Sequence, residues 1–336
     1  MTIDSLMQRY QGKGPGASLL VLRDGEAVVR RGYGLSDIGE SDGSGGTEAG
    51  PATNYRLASI SKQFTAAAIL LLAQDGKLGI DDPVRRWLPS LPEAADAITL
   101  RHMLSHTSGL VDYEDLMAVD YAGQIRDAGV LELLEKEDRL YFPAGSDYRY
   151  SNSAYALLSL VVERASGSTF PDFLRERIFV PLGMHDTLAY VAAGPEVPNR
   201  AWGYSQDDGE WVRTDQSTTS AVLGDGGIYS SIDDLARWDA ALYDDRLLSD
   251  ASRAMAFGPQ AKVTGETGVH HYGFGWRLGD GTLWHSGETI GFRNVIVRWP
   301  EQKLTVILLS NRNDPEPYLT AMQVGALYME PAHTGH

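Results

Sequence analysis

The sequence predicts an α+β fold: an antiparallel sheet flanked by terminal helices, with a mainly helical lobe inserted between its strands. Two observations predict it. Strand-like runs bounded by turn residues occur near the start, at 17–33, and again near the end, at 272–310. Between them lie long apolar runs of helical length. No internal repeat and no linker separates independent domains, so residues 1–336 are expected to form one unit. Its sheet lobe is expected at about 1–58 and 265–336, and its helical lobe at about 59–264.

Residues 17–33 read as two strands joined at Asp24-Gly25, a favoured two-residue hairpin turn. Residues 39–53 are rich in Gly, Ser and Thr and read as an exposed loop. The run 60–75, with Phe64, Ala67, Ala68, Leu71 and Leu72, reads as a buried helix stopped by Gly76. A second such helix covers 153–166 and ends at Gly167; a third covers 232–243, with Ser231 or Asp233 able to cap it. Strands follow at 272–278, 282–286, 291–299 and 304–310, with turns at Asp280-Gly281 and Pro300-Glu301, and a last helix lies around 315–329. A cleft between a sheet and a helical lobe is where a substrate site is expected.

Composition narrows the function. A net charge of −16 without clustered Lys or Arg argues against a nucleic-acid partner. The absence of cysteine rules out a disulfide, a thiol nucleophile and a thiolate metal site. The first twenty residues lack the basic start, apolar run and small-residue cleavage site of a secretory signal, and no run approaches the ~20 apolar residues of a membrane span. A soluble, cytoplasmic protein with no membrane partner is expected. No metal or nucleotide signature is present, so no cofactor is expected, and nothing in the sequence specifies an oligomeric state.

Three short patterns carry chemistry. In the first, Ser59 is followed three residues later by Lys62, the only one of the six lysines at that spacing from a serine. A serine hydroxyl needs a base to become a nucleophile, and a lysine one helical turn on lies on the same face. The helix start also offers its N–H groups to a developing oxyanion. The plain alternative is a helix start with a solvated lysine. The second pattern is Tyr150-Ser151-Asn152: a phenol that can relay protons and an amide that can both donate and accept, or simply a turn with Asn152 or Ser153 as helix cap. The third is His285-Ser286-Gly287 at a strand end. There Gly287 permits a close approach and the N–H of Glu288 can serve as second oxyanion donor, or His285 is a structural residue. Two looser matches to this pattern, Lys77-Leu78-Gly79 and His333-Thr334-Gly335, lack a following strand.

The order of the three patterns resembles that of the penicillin-recognising serine hydrolases: the serine β-lactamases, penicillin-binding proteins and related esterases. The stretches LRHMLSHTSGL at 100–110, PLGM at 181–184 and GGIYSSIDDLA at 226–236 are similar to their class C β-lactamase and esterase branch, and the likeness runs from about 15 to 312. The resemblance implies a β-lactamase-like fold, Ser59 as nucleophile, Lys62 as general base or proton relay, Tyr150 sharing proton transfer to the leaving group, and Asn152 orienting the substrate. It also implies a small-molecule ester or amide substrate. With Gly287 and Glu288, His285 is expected to bind the substrate, its neutral imidazole donating or accepting hydrogen bonds; it departs from the lysine that true β-lactamases keep there, which counts against β-lactam hydrolysis. The expected order is therefore carboxylesterase, then D-amino-acid peptidase or amidase, then β-lactamase. A catalytically silent scaffold that binds peptides or self-assembles is the alternative of another class.

Two further patterns are set aside. Gly39-Glu40-Ser41-Asp42-Gly43 matches a nucleophile elbow but lacks its strand and helix. His102 and His106 have the spacing of a zinc-binding helix but lack the intervening glutamate, and Ser108-Gly109 breaks the helix.

Overall fold

A computed structural model describes residues 2–39 and 45–329. Residues 40–43 of the elbow-like pattern and the match at 333–335 lie outside the described residues. The chain builds an eight-stranded antiparallel sheet from both its ends. Its strands are β1 (Ala17–Arg23), β2 (Glu26–Tyr33), β3 (Ala261–Lys262), β4 (His271–Tyr272), β5 (Arg277–Gly279), β6 (Thr282–Thr289), β7 (Phe292–Trp299) and β8 (Leu304–Ser310). They lie in the order β3-β4-β5-β6-β7-β8-β1-β2. The hairpin at Asp24-Gly25 forms as expected, with φ of 52° and 85° at its two central residues. The ends of the chain meet where β1 pairs with β8, from Ala17 opposite Ser310 to Arg23 opposite Leu304.

The central strands are buried on both faces, and their period of two sorts the side chains into two cores. Leu20, Leu22, Ile296, Ile307 and Leu309 face the helical lobe, among Phe64 and Leu235. Leu19, Val21, Val295, Val297, Val306 and Leu308 face the other way, under Met7, Tyr10, Ala321 and Val324 from the two ends of the chain. The outer strand β2 is largely exposed, and its Arg30 and Arg31 are the kind of charged residue that keeps an edge from pairing with another chain.

The helices that matter for the site are α1 (Lys62–Gln74), α2 (Asp127–Leu134), α3 (Asn152–Ser166), α4 (Ile232–Ala241) and α5 (Tyr318–Ala326). Eleven residues of α1 are buried, so it runs through the core rather than over it. Gly167, at φ 77°, ends α3 in the left-handed conformation that only glycine adopts freely. Ser231 caps α4, its side chain accepting from Asp234 N–H. Among the described residues, no helix is long and apolar enough to cross a membrane.

Candidate active site

Ser59 sits where three pieces of backbone meet. The short strand Tyr55–Arg56 pairs with Ile228–Ser230, which pairs in turn with Leu188–Ala189. Leu57 N–H then donates to Ile228 O at 2.8 Å, and the chain enters a 3-10 turn, Ala58–Ser61, that leads into α1. The sequence places the helix start at 60, but the structure begins it at Lys62, so Ser59 rides on the tighter turn. Ala58 enters that turn at φ 49°, a conformation that costs a non-glycine residue about 1–3 kcal/mol. Such strain persists only where packing enforces it. Here the neighbour is β6: a Cβ on Gly287 would stand 2.0 Å from Leu57 O. The close approach that Gly287 permits is therefore one of backbone on backbone.

Lys62 has no exposed surface. Its ammonium donates to Ser59 Oγ at 3.0 Å, Asn152 Oδ1 at 2.9 Å and Asp225 O at 2.8 Å. These contacts use every donor an ammonium has. Asn152 can reach because it is not the helix cap. That place belongs to Ser151, whose Oγ accepts from Ala154 N–H at 3.1 Å, in contrast to the expectation of Asn152 or Ser153. The Asn152 amide is left to bridge Lys62 and Glu114, donating to Glu114 Oε1 at 3.3 Å.

Tyr150 lies between two cations, with Lys62 Nζ 4.9 Å and Arg277 Cζ 5.2 Å from its ring centroid. Its buried hydroxyl has no hydrogen-bond partner among the described residues, which leaves a donor and an acceptor for a reacting group. His106 holds this loop. Its ring stacks on Tyr150 at 4.3 Å, its Nδ1 accepts from Ser151 N–H at 3.0 Å, and its carbonyl accepts from Arg149 N–H at 2.9 Å. Burial, and next Lys62, push the imidazole pKa well below its ordinary value, so the ring is neutral. His102 belongs to a different system, its Nδ1 accepting from Thr99 N–H.

His285 is placed behind the site and not in its wall. It has no exposed surface. Burial, and next Arg277, hold its pKa well below the ordinary value. The neutral ring is then best assigned as donating from Nδ1 to Ser286 O at 2.6 Å and accepting at Nε2 from Tyr272 OH at 3.0 Å. Burial likewise keeps the Tyr272 phenol protonated. The expectation that this imidazole bonds a substrate directly needs correction, because both its nitrogens are already engaged. A cation does stand nearby: Arg277 Nη1 is 3.4 Å from His285 Nε2, and Arg277 Nε pairs with Glu266 at 3.0 Å.

The pocket at Ser59 is a cavity of ≈ 70 Å³ lined by Arg56, Ser59, Glu114, Asn152, Asp225 and Glu288, among others. A cavity more than ten times larger lies elsewhere. The convergence of hydroxyl, ammonium and amide marks the small one as the candidate site, and size does not. Glu114, His106, Asp225 and Arg277 are absent from the sequence reading of the site, because each acts through residues distant in the chain. Only His106 and Asp225 had a signal, lying inside or beside the stretches 100–110 and 226–236.

Asp225 lends the site a pH dependence. Its buried carboxyl accepts from Tyr113 OH at 3.2 Å, and burial raises its pKa from 3.8 to about 7 although Lys62 opposes the shift. A carboxyl that binds its proton more tightly folded than unfolded loses stability as pH rises between those two values, and the full penalty stands above about 7. Asp225→Asn should thus match the wild type most closely at pH 5 and gain on it at pH 8. Thermal unfolding at both pH values measures this, and a difference that does not change with pH would contradict it.

Fold and site together place the protein in the class built around a Ser-x-x-Lys turn between a sheet and a helical lobe. The chain belongs to the beta-lactamase family, whose pattern matches residues 2–327; members of that family are serine hydrolases. It is 33% identical over 341 residues to penicillin-binding protein 4* of Bacillus subtilis, covering 95% of this chain and 72% of that one. To the D-aminopeptidase of Brucella anthropi it is 29% identical over 310 residues, 89% of this chain and 56% of the longer relative. Among solved structures, the octameric penicillin-binding protein homologue from Pyrococcus abyssi matches with a TM-score of 0.83 and 26% identity, over 97% of this chain and 75% of that one.

Proposed function

We propose that this protein hydrolyses small esters or amides through an acyl-enzyme on Ser59, in the manner of a carboxylesterase. The observation that carries the reading is the 3.0 Å contact between Ser59 Oγ and the wholly buried Lys62. In its neutral form Lys62 takes the proton of Ser59 while the oxygen adds to the substrate carbonyl. The oxyanion is met by the N–H groups of Ser59 and Glu288, and Asn152 orients the substrate. The Tyr150 hydroxyl then delivers its proton to the leaving alcohol or amine and regains one from Lys62; Lys62, neutral again, takes a proton from the water that attacks the acyl-enzyme, and Tyr150 returns one to the departing Ser59 oxygen. The cation near His285 is answered by Glu266, which favours an uncharged ester over a β-lactam carboxylate.

Glu114 supports a second reading. Its carboxylate lines the pocket and, among the described residues, bonds only the Asn152 amide, so it suits a substrate carrying an ammonium, such as a D-amino-acid amide. Relative rates on p-nitrophenyl acetate, D-alanine amide and a chromogenic cephalosporin separate the readings. The core proposal is tested by intact mass after exposure to a fluorophosphonate. One adduct is expected on the wild type and none on Ser59→Ala. No adduct on either folded protein would turn the reading to a silent binding scaffold.

A further inference from the structure

A cavity of ≈ 810 Å³ lies between α2, α3 and the 189–195 segment, and nothing in the proposed chemistry uses it. Its volume falls in the range of roughly 300–1,000 Å³ typical of small-molecule sites. Leu160, Phe170, Pro171, Tyr190, Val191 and Leu223 supply a mostly apolar lining. Two acids also line it, and each is turned to backbone. The Asp127 carboxylate accepts from Leu223 N–H at 2.9 Å and Gly224 N–H at 3.0 Å, and Glu163 Oε1 accepts from Phe170 N–H at 2.8 Å. The one cation of the lining is Arg126, which is exposed and whose side chain has no acid or acceptor paired with it among the described residues. An apolar cavity whose two acids are turned to backbone N–H groups, with one cation at its exposed rim, suits an apolar chain ending in a carboxylate that Arg126 can bond.

We infer that this cavity is a second ligand site, for an apolar monocarboxylate of the fatty-acid type, separate from the pocket at Ser59. The partition between the two is the segment 219–225. Ser220, Ala221 and Leu223 face the cavity, while Thr219 and Asp225 face the Ser59 pocket. Arg56 Nη2 donates to Ser220 O at 2.6 Å, Asp127 holds Leu223 and Gly224, and Asp225 O receives Lys62. A ligand in the cavity thus lies against the segment whose Asp225 carbonyl accepts from Lys62, on the side away from the serine.

Isothermal titration of the full chain with sodium decanoate tests the inference. One saturable site is expected, abolished by Ala128→Trp and by Leu160→Trp, which fill the chamber from α2 and α3, and retained in Thr219→Trp, which fills the Ser59 side. Arg126→Ala should weaken decanoate by about fivefold and leave 1-decanol unchanged, as fits one charge pair at a wet rim. Circular dichroism confirms that each variant is folded, and having two cavity-filling variants guards against one that is not. Binding that survives both cavity fillings, or that Thr219→Trp alone abolishes, overturns the site. So does the lack of saturable binding below about 10 mM. Equal loss of decanoate and decanol in Arg126→Ala overturns the carboxylate assignment. None of these readouts depends on Ser59 reacting, so failure here and failure of the hydrolase reading are distinguishable.

Discussion

Replacing Lys62 by methionine is expected to lower kcat/KM for p-nitrophenyl acetate by roughly 10³-fold or more, and to slow fluorophosphonate labelling of Ser59 in parallel. Lys62 Nζ is the only side-chain amine bonded to Ser59 Oγ among the described residues, so its loss leaves the serine without a positioned base. Methionine keeps the length and flexibility of the side chain and fills the same volume. The substitution leaves Asn152 Oδ1 and Asp225 O without their donor, but it also removes a buried charge, and these effects on stability oppose each other. The variant should therefore fold, with a loss in rate far exceeding its loss in Tm. A folded Lys62→Met that kept more than about a tenth of the wild-type rate would take Lys62 out of the proton path.

What the sequence revealed and what it hid follow from how far each interaction reaches along the chain. Strands β6, β7 and β8 and helices α1, α3 and α4 were legible because turn residues and apolar periodicity are local. That strands from both ends of the chain join one sheet was legible, whereas the pairing of β1 with β8 is seen only in the fold. Ser59 and Lys62 were legible because one helical turn joins them. Boundaries slipped where a local rule met a tertiary one: the first turn of the expected helix at 60 is a 3-10 turn where β6 lies close against Leu57. The cap of α3 is Ser151, which leaves the Asn152 amide to Lys62 and Glu114. His285 reads in the sequence as a group available to a ligand, and only the fold reveals Tyr272 and Ser286 on its two nitrogens. Glu114 and Arg277 carry no local signal at all, since none of their partners is a near neighbour in the chain.

Gly287→Ala should be nearly as damaging as loss of the lysine, although it adds one methyl group and removes no functional atom. The new Cβ would stand 2.0 Å from Leu57 O, 3.1 Å from Leu57 C and 3.4 Å from Ile60 Cγ1. Two of those atoms are backbone and cannot rotate away, so either β6 or the turn that carries Ser59 has to move. A displacement of about 1 Å at a reacting group costs on the order of 10²-fold in rate, and overpacking of this kind costs about 1–3 kcal/mol of stability. The expected result is a folded protein with kcat/KM reduced roughly 100-fold or more and a lowered Tm. Gly281→Ala separates the steric cause from general destabilisation. Gly281 has φ 71°, so alanine is strained there too, yet its Cβ would meet nothing within 4 Å. That variant should lose stability and keep its rate. If Gly287→Ala also kept its rate, the Ser59 turn would not depend on close contact with β6, and the strain at Ala58 would need another source.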